Sequence, residues 1–356
     1  MDLFDKHKTV LITGAGGQLG RRLVPQLLGR GYAVRAHYRS EEKARRWCPR
    51  HAVPVYGDLT EPSWLHHAMR DCDFVIHCAA RVSLRSGHIP DMNKINVDGT
   101  RAVVNACHFR NIRRLVHVSS VAAVGGSPDG HPLNENSAFN LSGYDIAYFE
   151  SKRDAEKIAL EANDNRLDVV VVNPAIMISP PDRALSSADR ERIPKRIPFY
   201  FDFGINLVQT EDVVDGIIKA LEKGRPGQRY ILGGEDVSSQ RLVDLAVKYI
   251  GIKRPFFKIP RTLLHVVALV VETLGSNYSP LKKVFPASKL NRNLVRLAGL
   301  KFYYDSSKAC RELGYNPRPL EQSLTEIIEA FSGQNAPARN SSKKAAITDS
   351  GLLESS

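Results

Sequence analysis

An apolar, β-branched run from Thr9 to Thr13 passes directly into Gly14-Ala15-Gly16-Gly17-Gln18-Leu19-Gly20, and then into a stretch with helical spacing from Leu19 to Leu28. A glycine-rich pattern alone says little. One that joins a strand to a helix inside a βαβ unit confines the chain to a parallel sheet whose first turn is shaped for a phosphate. Each glycine then has its own task. Gly14 permits the tight turn, Gly17 lets the backbone approach a pyrophosphate, and Gly20 allows close packing of helix and strand. Backbone N–H groups at the helix N-terminus, with Gly16, Gln18 and Leu19 in the same turn, meet the negative charge.

The alternation continues through the first half of the chain. Short β-branched runs (Tyr32 to Tyr38, Ala52 to Tyr56, Phe74 to Cys78, Leu115 to Ser119, Val169 to Asn173) read as buried strands. Helical spacing fills the gaps, as in Asn96 to Phe109. Such alternation predicts right-handed crossovers and an α/β fold, a Rossmann-type doubly wound parallel sheet. A late strand, Arg229 to Leu232, follows a helix from Glu211 to Glu222 and is expected in the same sheet. The expected organisation is a dinucleotide-binding domain over 1–178, with 205–235 completing its sheet. A smaller, mainly helical lobe takes 179–204 and 236–332, and 333–356 reads as a disordered tail.

Composition removes several classes. The chain has 356 residues, 43% hydrophobic and 25% charged, which suits a soluble globular protein with a sizeable core. No run reaches the ~18 apolar residues of a membrane span. The longest, Leu263 to Leu274, is broken by His265, Glu272 and Thr273. The N-terminus enters its first strand without a leader pattern. The five cysteines are odd in number and never in a C-x-x-C pair, which fits a reducing compartment and gives no zinc pattern. A cytoplasmic location is therefore expected. Of the formal charge of +12, a net +9 lies between Gly251 and Lys308, where eleven basic residues face only Glu272 and Asp305. That stretch suits a solvated surface, an anionic substrate or an acidic membrane surface. No recognition motif accompanies it, so nucleic acid is not expected as a partner.

The glycines fall at G-x-x-G-x-x-G, and with the motifs that follow in order over about residues 8 to 331 the chain resembles the extended short-chain dehydrogenase/reductases. That resemblance implies a nicotinamide dinucleotide. At the end of the second strand, where an acidic residue would hold the ribose hydroxyls of NAD, this chain has His37-Tyr38-Arg39-Ser40 and no acid before Glu41. Arg39 attracts a 2′-phosphate through its planar fork, so NADP is the preferred cofactor and NAD the alternative. By resemblance, Asp58 and Leu59 contact the adenine end, Cys78-Ala79-Ala80 lie where the chain passes the cofactor, and Pro174-Ala175-Ile176 face the nicotinamide carboxamide.

The resemblance also implies a Ser–Tyr–Lys constellation. A carbinol loses its O–H proton as hydride leaves carbon, so a base is needed. A tyrosine titrating near ~10 is too weak an acid at neutral pH unless a cation favours its phenolate. A lysine one helical turn away supplies that cation. The bare pattern Tyr-x-x-x-Lys occurs four times, but only Tyr148 and Lys152 stand at the front of a helix after the strand ending in Ser119-Ser120. Ser120 aligns as the catalytic serine, with Ser119 the near alternative. Asn96 matches the family's helix asparagine, which supports the lysine through backbone and water; an N-cap is its other reading. Gln209 stands where the family usually carries histidine.

The same constellation serves reductases, dehydrogenases, epimerases and dehydratases. The segment from Ile178 to Asn206 is short for a nucleotide-sugar clamp, and no adjacent Asp-Glu pair stands near Tyr148. Gly224-Arg225-Pro226-Gly227 onward and Asp305-Ser306-Ser307-Lys308 onward resemble the dihydroflavonol-reductase-like, 3β-hydroxysteroid-dehydrogenase-like and hopanoid-associated subgroup. That resemblance implies a hydrophobic alcohol or ketone as substrate, and a dimer through the Asn96 and Tyr148 helices. An epimerase or dehydratase with retained NAD is the alternative, and a non-catalytic NADP-binding sensor or scaffold is another. The apolar run Leu263 to Val271, with Leu290, Leu294, Leu297, Arg292 and Arg296 after it, is expected either to pack as core or to meet an acidic membrane surface.

Overall fold

The computed structural model describes residues 8–59, 61–83, 92–144, 146–180, 199–255, 257–260, 263, 297 and 299–332. The expected helices over 263–271 and 290–297 therefore lie outside the described residues, apart from Leu263 and Leu297. So does the expected tail.

Seven parallel strands form the main sheet: β1 (Thr9–Thr13), β2 (Ala33–Tyr38), β3 (Val53–Tyr56), β4 (Phe74–His77), β5 (Arg114–Val118), β6 (Asp168–Pro174) and β10 (Gln228–Leu232). Their spatial order is β10-β6-β5-β4-β1-β2-β3. The chain builds outward from β1 to β3, then returns to the other side of β1 with β4. This reversal opens a crevice at the carboxyl ends of β1 and β4, where open α/β sheets bind ligands.

Strand side chains alternate between the two faces, and helices cover both. On one face Val10 and Ile12 share a core with Leu23, Val24 and Leu27 of helix α1 (Gly20–Gly29), and Val170 and Val172 extend it. Val213, Val214, Ile217 and Ile218 of helix α6 (Thr210–Lys223) complete that core. Leu11, Val169 and Val171 point the other way, against α3 (Leu65–Ala68), α4 (Gly99–Phe109) and α5 (Ala147–Glu161). Between β2 and β3, a short helix α2 (Glu41–Trp47) starts at Ser40, whose hydroxyl accepts from the Lys43 amide.

The expectation that 205–235 completes the main sheet holds only for Gln228–Leu232. Strand β9 (Gly204–Gln209) instead centres a second sheet. It pairs in parallel with β7 (Ile176–Ile178) and β13 (Lys301–Phe302), and antiparallel with β11 (Glu235–Ser238). Strands β8 (Phe199–Phe201) and β12 (Phe257–Ile259) pair separately. Helices α7 (Ser239–Ile250), α8 (Ser307–Leu313) and α9 (Leu320–Ser332) complete the described lobe. The second sheet is joined to the loop after β5 by bridges Ser127–Lys301 and Leu133–Tyr304, and by the Tyr304 hydroxyl, which donates to the Gly125 carbonyl at 2.6 Å.

Candidate active site

A cleft of about 550 Å³ opens at the β1/β4 crevice. Of the residues expected to hold a cofactor, Gly14, Gly16, Gly17, Arg39, Asp58, Leu59, Cys78, Ala79 and Ala80 line it. The first turn is bare backbone for a geometric reason. Gly14 has φ of 73°, and a Cβ there would stand 2.8 Å from the Ala79 Cα. At Gly20 a Cβ would meet the Ala15 Cα and the Gly14 carbonyl at 2.5 Å, so the close approach is to the preceding loop rather than to the strand. The turn is stapled by Gly17 N–H to the Gly14 carbonyl (2.9 Å) and Ala15 N–H to the His37 carbonyl (3.0 Å). Such a cradle, with a cation at one end, fits a dinucleotide.

Gln18 and Leu19 take other positions. The Gln18 amide bridges to the Ser179 and Thr210 hydroxyls at 3.3 and 3.2 Å, tying the turn to the segment after β7. Leu19 packs into the core beneath α1. Pro174 and Ala175 are buried and Ile176 is 45% exposed, where the chain crosses from β6 to β7.

At the adenosine end the cleft is lined by Arg39 and also by Lys43, one turn into α2. Glu41, the first acid after β2, pairs instead with Arg45 at 2.8 Å on the exposed face of α2. The strand end beneath is held by His37. Its Nδ1 accepts from the Gly14 amide at 3.3 Å, so its Nε2–H donates to the Gly57 carbonyl at 2.9 Å. Its ring stacks on Trp64 with centroids 4.3 Å apart. Lys43 was readable as the position four beyond Arg39; His37 carried no such signal.

Beyond the cleft stand the reacting groups expected from the sequence. The Ser120 hydroxyl accepts from the Ala122 amide at 3.1 Å, which leaves its proton to donate. Burial raises the pKa of Tyr148, and the hydrogen bond from Ser120 pulls it back down. Ser119, the near alternative, is committed elsewhere: its hydroxyl donates to Glu156 at 2.5 Å. Lys152 is 3% exposed and donates to the Val118 carbonyl at 3.0 Å. Burial lowers its pKa to about 8, against the opposing influence of the Glu156 carboxylate.

Asn96 lies in a π-helical turn (Lys94–Asp98) ahead of α4 and caps no helix. Its side-chain Oδ1 accepts from the Arg81 backbone amide at 2.7 Å, and its side-chain Nδ2 donates to the Arg81 carbonyl and the Ser151 hydroxyl, both at 3.0 Å. Ser151 in turn donates to the Tyr148 carbonyl at 2.9 Å. Asn96 therefore ties the cleft wall at Arg81 to the helix carrying Tyr148 and Lys152. Beneath it runs a second chain. The Thr100 hydroxyl donates to the Asn96 carbonyl at 2.6 Å, so it accepts from His77 Nε2–H at 3.2 Å, and Nδ1 accepts from Thr13 at 2.7 Å. Burial first, then Lys152, lowers the His77 pKa to about 3, so the imidazole is neutral. Gln209 lies away from these groups and donates to Glu326 of α9 at 2.8 Å.

Comparison with known proteins bears on this geometry. The model of the NAD dependent epimerase/dehydratase family matches residues 10–233. Sterol demethylase protein B of Methylococcus capsulatus is 31% identical, over 91% of this chain and 98% of its own length. A 4-hydroxy-2-methyl-3-oxo-4-farnesyl-3,4-dihydroquinoline-1-oxide ketoreductase of Stigmatella aurantiaca is 32% identical, over 87% and 92%. The crystal structure of gox2253 superposes with a TM-score of 0.75 at 30% identity, covering 92% of this chain and 99% of that one. With a dinucleotide cradle at its sheet crevice and these relatives along its length, the chain belongs to the NAD dependent epimerase/dehydratase family, within the extended short-chain dehydrogenase/reductases, and is an NAD(P)-dependent oxidoreductase.

Proposed function

We propose that the chain interconverts a hydrophobic ketone and its alcohol, with NADP as the hydride carrier and Tyr148 as the proton carrier. The observation that supports this most is the meeting of Ser120, Tyr148 and Lys152 where β5 gives way to α5, with Ser120 donating toward the phenol and Lys152 buried one turn along. When bound, the dinucleotide supplies or accepts the hydride. In the reducing direction Tyr148 gives its phenolic proton to the carbonyl oxygen, and in the oxidising direction it takes the proton from the carbinol. Ser120 donates a hydrogen bond to that same oxygen and orients it. Burial disfavours the phenolate that is left; a charged Lys152 one helical turn along would favour it. Because its pKa is about 8, Lys152 is mostly charged at neutral pH and loses this role as the pH rises past that value.

Tyr148→Phe removes the proton carrier while leaving the cleft intact. Turnover in an NADPH assay with a 3-ketosteroid or a long-chain β-keto acid should fall by roughly 10²–10⁴-fold, with cofactor affinity unchanged. Retained turnover would refute the role.

The NADP preference rests on Arg39 and Lys43 lining the cleft while Glu41 is turned to Arg45. Charged donors to a 2′-phosphate are each worth about 1.5–3 kcal/mol. Arg39→Ala should therefore lower the preference for NADPH over NADH by roughly 10–100-fold. A wild-type chain that uses both equally would reject the preference.

The substrate class draws on the names of the relatives, a sterol demethylase protein and a ketoreductase of a farnesylated quinoline oxide. It also draws on Val82, which lines the cleft with 69% of its surface exposed, and on the exposed Ile176. Stoichiometric NAD released on denaturing the purified protein would favour the epimerase reading instead.

A further inference from the structure

Glu156 has no part in the roles assigned above, yet it is a carboxylate only 3% exposed, on the same helical row as Tyr148 and Lys152. Both of its oxygens are engaged. One accepts from the Arg229 guanidinium on β10 at 2.9 Å. The other accepts from the Ser119 hydroxyl at the end of β5 (2.5 Å) and from the Asn173 amide on β6 (2.6 Å). The Asn173 amide also donates to the Ser120 carbonyl at 3.0 Å. Arg229 also donates to the carbonyls of Glu135 (2.7 Å) and Ser137 (3.1 Å), in the loop that follows Ser120. One carboxylate thus joins α5 to the ends of three adjacent strands and to the loop beyond the reacting serine.

Stability alone does not call for this arrangement, because apolar residues of similar volume often replace a buried ion pair without loss. The groups facing Lys152 indicate another purpose. On its own helix that is Glu156; on β4 and just past it, His77 and Cys78; on β5, His117. Burial keeps both imidazoles neutral, pushes the Cys78 thiol up to about 12 and raises the Tyr148 phenol. Among these groups Glu156 is the one carboxylate, and Arg229 is the cation paired with it.

We propose that Glu156 is a positioning residue for the reaction: its carboxylate fixes Ser120 relative to the Tyr148 helix and, held in check by Arg229, sets the charge state of Lys152. The consequence for turnover rests on the Ser–Tyr–Lys reading; the structural assignment does not. In keeping with it, Glu156 is the leading influence that holds the Lys152 pKa up against burial.

The test is an NMR titration of the full-length chain grown with side-chain-labelled lysine, the Lys152 signal being assigned by its loss in Lys152→Met. No substrate is needed. Glu156→Gln should lower the Lys152 midpoint by about one pH unit. Glu156→Asp, which keeps the charge, should hold it near the wild-type value. Arg229→Gln removes the opposing cation and should raise it. A merely structural role would lower thermal stability in these variants and leave the midpoint where it was. A folded Glu156→Gln chain with an unmoved midpoint overturns the proposal. Should that variant fail to fold, Arg229→Gln decides: a raised midpoint upholds the proposal, and an unmoved or lowered one overturns it. Turnover in Tyr148→Phe separately judges the Ser–Tyr–Lys reading, so failure of one is not mistaken for failure of the other.

Discussion

His37, His77 and His117 are buried at 2%, 1% and 2% exposure, and burial drives the pKa of each below its ordinary value. The unfolded chain binds these protons near pH ~6.5, whereas the folded chain refuses them until much lower pH. The stability they confer is therefore complete above ~6.5 and is lost as the pH falls, for His77 until about 3. Each contributes at most about 1.4 kcal/mol per pH unit over that window. The urea midpoint should drop steadily below pH ~6.5. His117 offers the cleanest variant, since neither of its ring nitrogens has a partner among the described residues. His117→Phe should keep neutral-pH stability within about 1.5 kcal/mol and make the acid decline shallower. An unchanged slope would mean that His117 titrates normally in the folded chain. These histidines stand in strands as His37-Tyr38, Ile76-His77 and Val116-His117, and nothing in that spacing distinguishes a neutral, bonded imidazole from an exposed one. Ser120 is the opposite case. The sequence favours it over the adjacent Ser119 by alignment, and in the fold Ser119 turns toward Glu156 while Ser120 donates toward Tyr148.

At the scale of elements, the inner strands of the main sheet were legible because strands buried on both faces read as continuous β-branched runs. Val169 to Val172 is the plainest instance, with every residue at 0% exposure. The edge strand β3 is largely exposed and shares only the β-rich composition. The helices α1 and α6 were legible from apolar residues at helical spacing, and the first turn from its glycines. The second sheet was not. Its strands β7 and β13 have three and two residues, too short to display a period of two. Strand β9 carries Leu207 and Val208 side by side with Gly204 and Asn206, so neither alternation nor a long apolar run marks it. Its place follows from long-range pairing with 176–178, 235–238 and 301–302, which no local pattern encodes. The same limit explains Glu156. The continuation Tyr-x-x-x-Lys-x-x-x-Glu was visible, but a glutamate four beyond a lysine is also what an exposed helix would place there.

For the molecule as a whole, charge is unevenly placed. The stretch 251–308 carries a net +9, and the described residues at its margin include Ile250, Phe257 and Leu263 at 55%, 56% and 48% exposure. No helix among the described residues is long and apolar enough to cross a membrane. We propose, from the charge of the sequence and these exposed apolar side chains, that the stretch meets an acidic bilayer surface. The purified chain should sediment with anionic vesicles at low salt and be released at high salt. Failure to sediment at low salt would reject this contact.

The crossing at Ala175 has a consequence for how ligands are held. One residue separates β6, which lies between β5 and the edge strand β10 of the main sheet, from β7, which belongs to the second sheet. The Ala175 amide donates to the Leu232 carbonyl of β10 at 3.1 Å, which anchors the start of β7 to the main sheet. A cofactor seated on one sheet and a substrate held by the other would share that single peptide as a common support. Any tightening one of them imposes on it is returned to the other in equal measure, since coupling between two binding equilibria is reciprocal. Measured affinity for the dinucleotide should then rise in the presence of a dead-end alcohol by the same factor as affinity for the alcohol rises in the presence of the dinucleotide.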